Sequence, residues 1–137
     1  MNSCWRTIIP HAAICRPGNL IRLLADNRTA AHLHLAEGYV ARAYCIRPED
    51  LYQKTRGRAH VAEARHLVMY LSHVEIGMRL IEVARRYNRD RSTVAYACRR
   101  IEDGRDDPSF DMMVCQIEQL ISMRDESSVP AIGGAIQ

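Results

Sequence analysis

The chain has 137 residues, of which 47% are hydrophobic and 26% charged, and its formal net charge is +3. This composition is that of an ordinary soluble protein and suits one domain with a short extra segment or two. No apolar run approaches the roughly 20 residues of a membrane-spanning helix, and the amino terminus lacks the pattern of a secretory signal. We therefore expect a cytoplasmic protein.

Prolines and a glycine interrupt residues 1–28, which we expect to be weakly structured, with helical potential only at Leu20–Ala25. Thr29 is the predicted N-cap of the first regular helix, because apolar residues recur at helical spacing from Leu33 to Tyr44. The domain is therefore predicted to begin at residue 29.

The next segments predict two more helices joined by a basic loop. Pro48, followed by two acidic residues, is typical of the first turn of a short helix. A basic loop is expected at Lys54–Ala59, around Gly57. The stretch His60–Val74 is apolar on most sides and predicts a central, buried helix.

Three further helices are predicted, at about Leu80–Tyr87, at Arg91–Asp103 and after the capping pair Asp107-Pro108. Residues 125–137 contain Ser, Pro and paired Gly and predict a flexible tail. No strand pattern is found. The predicted fold is all-α: a compact bundle of about six helices in residues 29–124, with a helix-turn-helix at about residues 80–103.

The helix-turn-helix prediction depends on three local features. Ala84 is small where the second helix must cross the first, and Asn88 tolerates the left-handed backbone of a sharp turn. The second helix has an apolar stripe at i, i+3, i+4 and i+7, formed by Val94, Ala97, Cys98 and Ile101. A helical hairpin with an exposed basic face is the structural alternative.

Charge favours a polyanion partner for this region. From Lys54 to Arg100, eleven Lys or Arg residues stand against four Asp or Glu, a net charge of +7, whereas the remaining residues carry eight and twelve, a net charge of −4. The start of the second helix has the chemistry for reading bases: Arg91 suits guanine, and Ser92 and Thr93 can bond bases or phosphates.

The run Arg89-Asp90-Arg91-Ser92-Thr93-Val94, continued by Ala97-Cys98-Arg99-Arg100-Ile101-Glu102, resembles a known signature. It is similar to the carboxy-terminal DNA-binding domain of the bacterial replication initiator DnaA, whose pattern is approximately Arg-Asp-His-Thr/Ser-Thr-Val and Ala-Cys-Arg-Lys-Ile-Glu. The likeness covers roughly residues 30–123. It implies a six-helix, Trp-repressor-like fold that binds double-stranded DNA.

The resemblance also implies how the contacts divide. The expected base-reading residues are Asp90, Arg91, Ser92 and Thr93 in the major groove, and Arg56 or Arg58 in the minor groove. The phosphate contacts that it implies are Arg65, His66 and the backbone at Leu80 and Ile81. From their positive charge we expect further phosphate contacts from Arg85, Arg89, Arg99 and Arg100. Arg91 replaces the histidine of the family pattern, and Asn88 replaces a glycine pair.

The sequence contains no Gly-x-x-x-x-Gly-Lys-Ser/Thr loop, so we expect neither a nucleotide nor another cofactor. The resemblance then implies a free-standing regulator of transcription or of replication rather than an ATP-driven initiator. No nucleophile motif is found, and enzyme activity is not expected.

Two alternatives remain open at this stage. Six histidines invite a metal hypothesis, but His32 and His34 face different sides of a helix and the five cysteines include no Cys-x-x-Cys pair, so no metal is expected. The protein is alternatively a helical interaction module that acts without reading DNA. A homodimer or protein contact through the amino-terminal segment or the last helix is compatible with either function.

Overall fold

The computed structural model describes residues 17–126, which form five α-helices and a 3₁₀ helix, with no strand in that range. In chain order these are α1 (Pro17–Ala43), the 3₁₀ helix (Pro48–Tyr52), α2 (Ala59–Val74), α3 (Leu80–Arg86), α4 (Arg91–Gly104) and α5 (Pro108–Glu126). The predicted all-α fold is confirmed. None of the described helices is both long and apolar enough to cross a membrane.

Helix α1 begins earlier than the sequence pattern predicts. Residues 17–28 are helical, unlike the weak structure expected of them, because proline is favoured in the first turn of a helix and Pro17 starts the helix rather than breaking it. The Thr29 hydroxyl donates to the Ala25 carbonyl at 3.1 Å, so Thr29 lies inside α1 and is not an N-cap. Residues 1–16, and the predicted tail from residue 127 onward, lie outside the described residues.

The chain divides into two compact units, of which the first ends at Ala31 and the second begins at His32. The second unit contains all the features described below. Its core is built around α2, as predicted, because Leu67, Val68 and Leu71 are completely buried. Helix α4 adds Val94, Ala97, Cys98 and Ile101, and α5 adds Val114, Ile117 and Ile121. The apolar face of α5 therefore completes the core of this unit.

A buried carboxylate holds α3 in place. Glu37 accepts hydrogen bonds from the hydroxyls of Tyr52 and Tyr87 and from Nε of Arg86, at 2.8 Å for Tyr87 and 3.0 Å for Arg86. Burial and the charge of Glu37 raise the pKa of the Tyr87 hydroxyl, which therefore stays protonated and donates. A buried charge is tolerated only when its hydrogen-bonding capacity is used, as it is here.

Arg105 joins the end of α4 to α5. Its Nε lies 2.6 Å from Asp111, and one Nη lies 2.6 Å from Glu118 and 3.1 Å from the Tyr70 hydroxyl. The predicted cap of α5 is also present, since the Ser109 amide donates to the Asp107 carboxylate at 3.2 Å. These contacts fasten the carboxy-terminal end of α4 to α5 and α2.

The turn between α3 and α4 has the expected backbone. Asn88 has a φ of 52°, in the left-handed region, and Ala84 and Tyr87 are buried on its α3 side. The Arg89 amide donates to the Ala84 carbonyl at 2.9 Å and closes the turn. The predicted helix-turn-helix is confirmed.

Replacing Asn88 tests this turn. We expect Asn88→Ala to lower the free energy of unfolding by about 1 kcal/mol, since a β-carbon disfavours the left-handed conformation, whereas Asn88→Gly should be nearly neutral. Urea denaturation of both variants measures the difference. Equal stabilities of the Ala and Gly variants would contradict the role assigned to the left-handed backbone.

Candidate nucleic-acid interface

The start of α4 presents polar side chains to solvent. Asp90 occupies the N-cap position, but within the described residues its carboxylate makes no capping hydrogen bond to the helix. Arg91 and Ser92 are exposed and Thr93 is half-buried. The four residues predicted to read bases are thus adjacent, and the two at the first positions of the helix are exposed to solvent.

A cleft of about 760 Å³ lies beside this helix start. It brings together Arg56 of the basic loop, His66 of α2, and Asp90, Thr93 and Arg100 of α4. Residues far apart in sequence therefore form one positively charged surface. The acidic residues on the lining of the cleft are Asp90 and Glu63.

Of the other predicted contact residues, Arg65 and Arg89 also line the cleft, and the rest lie outside it. Arg58 lines a separate hollow of about 570 Å³ on the basic loop. Arg85, Arg91, Ser92 and Arg99 are exposed and do not line the cleft. The three arginines therefore add exposed positive charge on α3 and α4 outside the cleft.

Arg65 exposes little surface although it is one of the residues that line the cleft. Its side chain is buried, with 3% relative exposure, and its guanidinium donates to three backbone carbonyls: Leu51 at 2.9 Å, Asp50 at 3.1 Å and Arg56 at 3.3 Å. Burial and then the positive charge of Arg89 lower its pKa. The structure places this predicted phosphate contact underneath the basic loop.

Arg89 makes a second set of such contacts. One Nη donates to the Lys54 carbonyl at 2.7 Å, and the other donates to the carbonyls of Gln53 at 2.7 Å and Thr55 at 3.2 Å. Sequence reasoning missed this contact and that of Arg65, because a side chain that bonds a distant backbone carbonyl leaves no residue pattern.

The backbone at the start of α3 agrees with the expected geometry of a helix terminus. The first helical hydrogen bonds are made by the amides of Glu82 and Val83 to the Arg79 carbonyl, at 2.9 and 3.1 Å. The amides of Leu80 and Ile81 precede this series, as the first amides of any helix do. Glu82 in turn accepts from the Arg79 amide at 2.9 Å.

His66 packs against an aromatic residue of α4 that the sequence analysis did not single out. Its ring is nearly perpendicular to that of Tyr96, which is 53% exposed, and the ring centroids are 5.8 Å apart. Burial lowers the pKa of His66, and the charges of Arg65, Arg100 and Arg56 lower it further, against a smaller opposing effect of Glu63. His66 therefore lies in a half-buried environment that is also positively charged.

Histidine and cysteine side chains do not converge in the described part of the chain. Residues 17–126 contain no group of three or more His, Cys, Asp or Glu placed to hold a metal ion. His73 is instead 2.7 Å from the Met78 carbonyl oxygen, in the turn after α2. Cys45, Cys98 and Cys115 are free thiols.

Comparison with known proteins confirms the resemblance inferred from the motif. Residues 37–101 match the family model of the bacterial DnaA protein helix-turn-helix. A crystal structure of a DNA replication initiation factor is similar to this chain, with a TM-score of 0.64 and 28% identity over 76% of the chain. The chain spans 32% of that protein's length. No curated protein matches it.

The lowered pKa of His66 predicts how stability depends on pH. Below pH 6.5, the ordinary pKa of histidine, His66 takes up a proton more readily in the unfolded chain than in the folded one. The contribution of His66 to the free energy of unfolding is therefore complete above that pH and is lost as the pH falls. Thermal melts should show decreasing stability below about pH 6.5. His66→Gln should flatten this decrease, and the same change at exposed His60 should not. Identical profiles for the two variants would contradict the prediction.

Proposed function

We propose that this protein is a sequence-specific double-stranded DNA-binding regulator of replication or transcription, because residues 37–101 match the family model of the bacterial DnaA protein helix-turn-helix. In this proposal α4 lies in the major groove with its first turn against the base edges. The basic loop follows the neighbouring minor groove and phosphate backbone.

The exposed first turn of α4 is the observation that supports this proposal most. A guanidinium forks to the N7 and O6 acceptors of guanine, a carboxylate accepts from cytosine N4, and a hydroxyl pairs with either kind of group. Arg91, Asp90 and Ser92 supply these three chemistries side by side, and the Asp90 carboxylate is not used as a helix cap. We assign base reading to these residues and to Thr93.

The phosphate backbone requires accessible positive charge around the reading helix. Arg85 of α3, Arg99 and Arg100 of α4, and Arg56 and Arg58 of the loop are all exposed and satisfy this requirement. His66 lies on the cleft and the amides of Leu80 and Ile81 begin α3, which suits hydrogen bonds to phosphate oxygens. We assign Arg65 to supporting the loop instead, because it is buried.

The helix-turn-helix match of residues 37–101 supports a regulatory role, because a DNA-binding domain of this kind acts by occupying its site on DNA. The bound protein then competes with an initiator at that site, or blocks or recruits the transcription machinery.

Selection from a library of random DNA duplexes at fixed, near-physiological salt tests the proposal. An enriched sequence motif is the expected result, and its similarity to the initiator's site would separate replication control from transcription control. Binding without enrichment that disappears as salt rises would overturn sequence-specific reading, and would favour an interaction module that acts through another protein.

Arg91→Ala tests base reading by α4. If Arg91 binds guanine through two hydrogen bonds, its loss should relax selectivity at one position of the enriched motif and cost about 1–3 kcal/mol there. Repeating the selection with the variant measures this. Arg42→Ala removes an exposed arginine outside the cleft and should leave the motif unchanged. Equal weakening on every sequence would make Arg91 a phosphate contact.

Arg100→Ala tests the assignment of phosphate contacts. We expect a loss of affinity that is uniform over sequences, and a decrease of about one unit in the slope of log affinity against log salt, because one phosphate is no longer neutralised. Titrations at several salt concentrations measure the slope. A loss confined to particular base sequences would refute this assignment.

A further inference from the structure

We infer that Arg89 is a positioning residue that ties the basic loop, residues 53–58, to the first turn of α4, so that loop and helix engage DNA as one unit. The inference rests on the proposed function for its DNA part alone. The connection between loop and helix is a property of the free protein and is tested in the absence of DNA.

The position of Arg89 in the chain makes this connection possible. Arg89 directly precedes Asp90, the N-cap of α4, and its amide is held by the Ala84 carbonyl in the turn. Its guanidinium spans the carbonyls of Gln53, Lys54 and Thr55, more than thirty residues earlier in the chain. A displacement of the loop therefore has to break bonds to the residue next to the recognition helix.

Arg65 completes this arrangement from the other side. Its bonds go to the carbonyls of Asp50, Leu51 and Arg56, so that six of the seven carbonyls from residue 50 to residue 56 accept from one of the two arginines. The loop itself has no regular secondary structure between residues 53 and 58 that would use these acceptors. Two guanidinium groups replace the hydrogen bonds that a helix or strand would supply.

The choice of carbonyl partners preserves positive charge. A carboxylate would hold an arginine equally well but would neutralise it, whereas a neutral carbonyl dipole leaves the charge intact. Arg89 thus orders a loop that carries Lys54, Arg56 and Arg58 without reducing the attraction of this surface for phosphate. Ordering the loop before binding also removes part of the entropy loss that binding would otherwise incur.

Lysine separates this role from a phosphate contact. A lysine keeps the positive charge but presents a single ammonium on a flexible stem, and it cannot bridge three carbonyls in a fixed fork. Arg89→Lys should therefore retain a simple charge contact with DNA and lose the connection to the loop. Arg85→Lys, at an exposed arginine of α3, is the matched control.

Limited trypsin digestion of the free protein tests the connection directly, because both variants keep every cleavage site. Cleavage after Lys54, Arg56 and Arg58, relative to cleavage at the buried Arg65, should increase about tenfold in Arg89→Lys, since charged hydrogen bonds oppose opening of the loop. Arg85→Lys should resemble the wild type. An unchanged ratio would overturn the inference, including the case in which all sites are cleaved faster, since Arg89 would then support only the fold.

A double-mutant cycle tests the DNA part, with the duplex enriched in the selection as the probe. If Arg89 positions Arg56, then Arg56→Ala should weaken binding at least about fivefold less in the Arg89→Lys background than in the wild type. Additive effects would overturn the coupling. A wild-type protein that binds no duplex would refute the proposed function, while the digestion result would still decide whether Arg89 holds the loop.

Discussion

Two guanidinium groups hold the chain between residues 50 and 56 through its carbonyl oxygens, and the shape of the basic surface depends on them. Arg65 reaches the loop from α2 and Arg89 reaches it from the start of α4. The loop position is therefore set by how these two helices pack. A shift of α2 against α4 would move Arg65 and Arg89 apart and leave the loop carbonyls without donors.

The packing beneath the loop is correspondingly rigid. Helix α2 is buried along most of its length, and the apolar stripe of α4 lies in the same core. The carboxylate of Glu37 fixes α3 through Tyr87 and Arg86, and Arg105 fixes the far end of α4. Polar side chains at the start of α4 that stand on such a support keep their geometry without a ligand, which is what the proposed base reading requires.

Burial and positive charge act in the same direction at the cleft. Burial first, and then the positive groups brought close together with few acids between them, lower the pKa of His66, and this crowding of charge costs folding free energy. The same concentration of charge attracts a polyanion, whose phosphates would relieve the repulsion. A surface of this kind is less favourable in the free protein and becomes favourable in a complex, as expected of a binding site rather than of a solvated face.

Local sequence features determined much of this protein. The helical period predicted the central position of α2 and the inward stripe of α4, and Asn88 marked the turn, because each depends on side chains close together in the chain. The Arg89–Val94 motif indicated the resemblance to the bacterial DnaA helix-turn-helix, and with it the helix that is proposed to read bases. The start of α1 was predicted wrongly, because a proline followed by a glycine is typical of a helix break as well as of the first turn of a helix. In the structure Pro17 and Gly18 begin α1.

Tertiary structure alone decided the roles of the individual arginines. The sequence alone does not distinguish the arginines of the basic segment from one another. All four of Arg65, Arg89, Arg91 and Arg100 were therefore predicted to contact DNA. Folding buries Arg65, turns Arg89 onto loop carbonyls, and leaves Arg91 and Arg100 accessible. A backbone carbonyl is present at every residue whatever its side chain, so a bond from a distant guanidinium to a carbonyl can be recognised only when the fold has brought the two together.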